Sequence, residues 1–80
     1  MNKHTIVGRT GRAQLTVRGG VFSVRLLPKN AHRSTSFAAA GDPAYVGPDI
    51  EKALLHIRAW TGLEPAEMPA GLRELARQAA

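Results

Sequence analysis

Cysteine is absent from the 80 residues. A disulfide framework, a thiolate metal site and a cysteine nucleophile are therefore excluded. Secreted domains of this size usually carry disulfides, so the expectation is a reducing compartment, the cytoplasm. A long apolar run is also missing. Met1-Asn2-Lys3-His4 leads into a short strand-like segment, which reads as neither a signal peptide nor a membrane span. Aromatic residues supply only 5% of the chain: Phe22, Phe37, Tyr45 and Trp60.

The most informative absence is acidic. Residues 1–41 contain no Asp or Glu, yet they hold Lys3, Arg9, Arg12, Arg18, Arg25, Lys29 and Arg33. Residues 42–80 carry Lys52, Arg58, Arg73 and Arg77 against Asp42, Asp49, Glu51, Glu64, Glu67 and Glu74. The two halves thus bear +7 and −2 of the net +5. Such asymmetry points to an electrostatic partner for the first half. The simpler alternative is that the second half neutralises the first within the fold.

The length leaves room for one domain with one modest core. An apolar fraction of 44% is ordinary for a folded chain. Ala13 to Arg18 and Phe22 to Leu26 both alternate apolar and polar residues around Gly19-Gly20, and two glycines suit a tight primed turn. Pairing across it sets Val17 opposite Phe22, Leu15 opposite Val24 and Ala13 opposite Leu26. Thr16/Ser23 and Gln14/Arg25 then fall on the other face, and a one-residue slip would destroy the match.

An earlier strand, His4 to Arg9, is expected to pair with Ala13–Arg18 through a turn at Thr10-Gly11. Ile6 then sits beside Leu15. Arg9 and Arg12 oppose each other on the outer face, together with Arg18 and Arg25. Pro28 to His32 reads as a polar turn, Arg33 to Ala39 as a weaker fourth strand carrying Phe37, and 41–48 as a Pro/Gly loop containing Tyr45.

The main helix spans 48–61, with Pro48 at its first position, Asp49 and Glu51 at its positive end and Gly62 as its stop. Its apolar stripe is Ile50, Ala53, Leu54, Ile57 and Trp60 or Thr61. A short C-terminal helix over 70–79 presents Leu72, Leu75, Ala76 and Ala79. The expected fold is α+β: a three- or four-stranded antiparallel meander with one main helix packed on one face and a short C-terminal helix, all in a single domain.

Signs of catalysis or of a cofactor are weak. His4, His32 and His56 lack ligand-type spacing, and no carboxylate lies near them in sequence. Gly8-Arg9-Thr10-Gly11-Arg12 lacks the Lys-Ser/Thr of a phosphate loop and is read as a glycine turn. Arg18-Gly19-Gly20 is a single unit of an RNA-binding repeat and is explained by its hairpin. Ser34, Thr35 and Ser36 have no evident base. No cofactor, metal or catalytic residue is assigned.

Phe22-Ser23-Val24-Arg25 forms a polar strand, and Gly41-Asp42-Pro43 precedes a helix that ends in Ala59-Trp60-Thr61-Gly62. Over Gln14 to Gly62 this layout resembles the small inhibitors of bacterial defence encoded by phages and mobile elements, the anti-CRISPR proteins in particular. The resemblance implies a non-enzymatic protein in the cytoplasm of a bacterial host. Such a protein binds a CRISPR surveillance complex or nuclease stoichiometrically and blocks DNA recruitment or cleavage. It carries over no catalytic residue.

The residues assigned to partner binding are Arg9, Arg12, Arg18, Arg25, Lys29, Arg33 and Tyr45. The partner is an acidic protein surface or a nucleoprotein complex, since arginine suits bidentate carboxylate recognition. The same residues on phosphates would make a DNA- or RNA-binding module with steep salt dependence. A third reading is self-association through a strand edge or the last helix. The chain is expected to be a monomer or homodimer.

Overall fold

The computed structural model describes residues 2–32 and 35–79, so Arg33 and Ser34 lie outside the described residues. Strands β1 (Asn2–Val7), β2 (Gly11–Arg18), β3 (Val21–Pro28) and β4 (Tyr45–Gly47) form one antiparallel sheet in sequential order. Helices α1 (Ile50–Thr61) and α2 (Ala70–Ala79) complete an α+β fold.

The β2–β3 register pairs Val17 with Phe22, Leu15 with Val24 and Ala13 with Leu26, as the alternation requires. Gly19 and Gly20 turn the chain with φ of 57° and 79°, the region that glycine occupies without a Cβ penalty. Ile6, Ala13, Leu15 and Val24 of the inner sheet face pack with Ile50, Ala53 and Ile57 of α1, and with Met68 and Leu72, as one buried core. Leu54, Leu63 and Leu75 close its margin. Each fully buried Leu or Ile here contributes about 1.5–3 kcal/mol relative to exposure. Ala76 and Ala79 fall within α2, but their side chains are outside the described set.

Three sequence expectations need correction. Firstly, the fourth strand is Tyr45–Gly47, whereas Phe37–Ala40 forms a 3-10 turn. Ser36 caps that turn by accepting from Ala38 N at 3.1 Å, and Ala38-Ala39-Ala40 lack the β-branched side chains that favour strand. Secondly, α1 begins at Ile50. Asp49 is its N-cap, with extended backbone and Oδ1 accepting from Glu51 N at 2.9 Å and Lys52 N at 3.4 Å. Pro48 therefore precedes the cap. Replacing Asp49 with alanine is expected to cost about 1 kcal/mol, read as a melting temperature lower by about 4–8 °C.

Thirdly, the β1–β2 turn is Arg9-Thr10, one residue earlier than expected. Ile6 pairs with Ala13, His4 with Leu15 and Val7 with Arg12. The cause is tertiary. The N–H groups of Arg9 and Thr10 donate to Thr61 O at 2.8 and 3.2 Å, and Thr10 Oγ1 donates to Trp60 O at 2.7 Å. The turn thus serves carbonyls that the last turn of α1 cannot satisfy internally. Gly8 and Gly11 allow the contact: a Cβ on Gly8 would lie 2.3 Å from Thr61 Cβ, and one on Gly11 would lie 2.4 Å from Trp60 Nε1.

Thr61, fully buried, fills the end of the α1 stripe, while Trp60 stays 37% exposed and donates from Nε1 to Leu27 O at 2.8 Å.

Candidate binding face

Both helices pack on the inner side of the sheet, so the strand register defines an outer face. In successive rows it holds Lys3, Thr16, Ser23 and Val46, then Thr5, Gln14 and Arg25, then Val7, Arg12 and Leu27. Arg18 and Val21 end the β2–β3 hairpin on the same face. Four cations (Lys3, Arg12, Arg18 and Arg25) share this surface, and no strand residue on it is acidic. Val7, Val21 and Val46 are 70%, 41% and 59% exposed, apolar points among the cations.

The cations differ in freedom. Lys3 and Arg18 are exposed. Arg25 is half-buried and donates from Nε to Gly41 O at 3.3 Å. Arg12, also half-buried, donates from Nη2 to Ala31 O at 2.7 Å and His32 O at 3.3 Å, holding the segment after β3 against the sheet. Leu27, next to Arg12, is only 4% exposed although it points away from the main core. The Leu26-Leu27 doublet was the sequence signal that both faces are covered at this end.

Arg9 is not on the outer face. Its turn carries it towards the helical layer, where Nη1 donates to Gly62 O at 3.2 Å and the guanidinium forms a bidentate ion pair with Glu67. The expected Arg9–Arg12 juxtaposition is thereby replaced by Val7 opposite Arg12. Lys29 lies just beyond β3 and donates to Arg9 O at 2.7 Å. Tyr45 is in β4, half-buried on the inner face, with its ring stacked on His56 (centroids 5.7 Å apart) and its hydroxyl accepting from Asp49 N at 3.1 Å. The structure therefore brings together Arg12, Arg18 and Arg25, places Lys29 at their margin, and separates Arg9 and Tyr45 from them. Lys3 joins the face, which the sequence reading had not included.

The ion pair Arg9–Glu67 links the two halves of the chain, and Arg58–Glu64 (3.1 Å) lies within the second half. Hydrogen bonds from the Arg9 guanidinium and from Glu64 N (3.1 Å) hold the Glu67 carboxyl below its ordinary value of 4.5. A depressed carboxyl contributes stability above its unfolded pKa, and that contribution disappears as pH falls through the folded value. Glu67→Gln is therefore expected to flatten the rise in melting temperature between about pH 3 and pH 5, leaving the variant slightly less stable at pH 7 and little changed near pH 3, the small size reflecting an exposed pair.

The helical side carries exposed charges of both signs, among them Glu51, Lys52, Arg58, Glu64, Arg73 and Glu74. A cleft of about 270 Å³ lies on the helical side, lined by Glu51, Leu54, Leu55, Arg58 and Met68. Among the described residues no three His, Asp or Glu side chains gather as a metal site, and no helix is long and apolar enough to cross a membrane.

The class this geometry defines is a small α+β domain with a basic, acid-free outer sheet face. Comparison narrows it no further: no family model, no curated protein and no solved structure matches the chain.

Proposed function

We propose that the protein works by binding alone, as a stoichiometric inhibitor or modulator that docks its outer sheet face on an acidic protein surface. The observation that carries this reading is the composition of that face. Lys3, Arg12, Arg18 and Arg25 stand without an acid, beside three exposed valines. Cations steer and orient an acidic partner, while exposed apolar side chains supply contact area that a phosphate backbone would not use. No aromatic ring points outward from the strands, so the base stacking typical of single-strand binders has no platform. By the resemblance to anti-CRISPR proteins, the target is a CRISPR surveillance complex or nuclease in the cytoplasm of a bacterial host.

Two experiments test the reading. In gel filtration with purified CRISPR effector complexes, the protein should co-elute at a fixed stoichiometry after nuclease treatment. In electrophoretic shifts with mixed-sequence DNA and RNA, any binding at low salt should vanish at physiological salt. Micromolar or tighter nucleic-acid binding that survives physiological salt would put the same cations on phosphates and overturn the protein-partner reading.

A further inference from the structure

At one end of the outer face, Val7, Arg12, Lys29 and Ala31 line a cleft of about 410 Å³. Among the described residues that line it, two are cations and none is an acid. Both cations are partly committed in a way that aims and fixes them. Arg12 spends Nη2 on the carbonyls of Ala31 and His32, and Lys29 spends one bond on Arg9 O. Neutral carbonyls orient these groups without cancelling their charge. Moreover, Arg12 Nε is buried and has no hydrogen-bond acceptor among the described residues. A buried donor left unpaired is uncommon in folded proteins and calls for an acceptor. Lys29, with three donors on its ammonium, keeps two to offer.

We propose that this cleft is a socket for one carboxylate of the protein partner, with Arg12 and Lys29 as its two donors and Val7 and Ala31 as its apolar walls. The assignment rests on the binding function proposed above and gives that face a definite anchor point. A planar guanidinium beside an ammonium matches an oxyanion, and the apolar walls lower the local dielectric, which strengthens the pairing. A carboxylate is favoured over a nucleic-acid phosphate by exposed Val7 in the cleft wall and by the lack of an outward aromatic ring on the strands to stack the neighbouring base.

The test uses the whole, isotopically labelled protein and nuclear magnetic resonance, following backbone amides and the Arg12 Nε–Hε signal. Tetraglutamate, inorganic phosphate and the oligonucleotide dT4 are titrated separately, with sodium chloride at matched ionic strength as control. Tetraglutamate should give saturable shifts centred on Val7, Arg12 Nε–Hε and Ala31. Lys29→Gln should weaken that binding about tenfold, the loss of one charge-assisted hydrogen bond, and Lys29→Arg should restore most of it. Phosphate should shift the same signals.

Shifts no larger than those from chloride, shifts spread equally over Lys3 and Arg18, or no effect of Lys29→Gln would each overturn the socket. Saturation by dT4 at lower concentration than tetraglutamate would overturn the carboxylate assignment. These signals belong to the protein alone. The socket can therefore fail while co-elution with a target complex succeeds, and the reverse result is equally readable.

Discussion

Gly8→Ala is expected to lower stability by about 4–6 kcal/mol, enough to leave much of the chain unfolded. The added Cβ would stand 2.3 Å from Thr61 Cβ, 2.5 Å from Thr61 O and 2.6 Å from Thr61 Cα. Two of those three atoms are backbone, so no rotamer change relieves the overlap. The β1–β2 turn must lift away from α1 and give up the bonds from Arg9 N, Thr10 N and Thr10 Oγ1. Overpacking of this kind costs about 1–3 kcal/mol, and each lost hydrogen bond adds about 1 kcal/mol. In a domain of this size the melting temperature should fall by more than about 12 °C.

Gly19→Ala is the control. Its φ of 57° is unfavourable for alanine, but a Cβ there meets nothing within 4 Å, so the loss should stay near 1–2 kcal/mol. Chemical denaturation of both variants separates the two effects. Equal losses would mean that the turn does not seat on the helix end.

That turn also marks where reading the sequence succeeds and where it stops. The β2–β3 register was legible because alternation, two turn glycines and an all-apolar inner face agree on one pairing. Helix α1 was legible because its stripe, its acidic start and Gly62 agree in the same way. Gly8-Arg9-Thr10-Gly11, by contrast, admits a turn at either central pair on local grounds. The choice is made by the carbonyls of Trp60 and Thr61, some fifty residues away. No local pattern encodes that contact.

The consequence for the site follows directly. Alternation placed Arg12, Arg18 and Arg25 correctly on the outer face, because they belong to the strands whose register was determined. Arg9 was placed by the ambiguous turn, and it moves to Glu67. Tyr45 was hidden for another reason: a strand of three residues bordered by Pro43 and Pro48 is indistinguishable from loop until β3 offers it a partner.

The difference between Arg9 and Arg18 yields the sharpest test of the binding face. Arg9→Glu and Arg18→Glu each lower the net charge of +5 by the same two units. A partner attracted by net charge alone should respond equally to both. A partner docked on the outer face should not, because Arg18 stands exposed on that face whereas Arg9 is turned away and already paired with Glu67. Reversing Arg18 sets a carboxylate against an acidic surface, a repulsion of about 2–3 kcal/mol, or roughly 30- to 150-fold in Kd. Its melting temperature should barely change, since the side chain is exposed and sits beside a glycine turn. Arg9→Glu should show the opposite pattern: binding weakened by less than about fivefold, with stability reduced by like-charge contact with Glu67. Raising the salt concentration should shrink the Arg18 effect, because exposed charges are screened over about 8 Å at physiological ionic strength and over less at higher salt. Titration calorimetry on the captured complex measures both affinities. If the two variants lose binding in parallel, the cations act as a diffuse cloud and the outer face is not the interface.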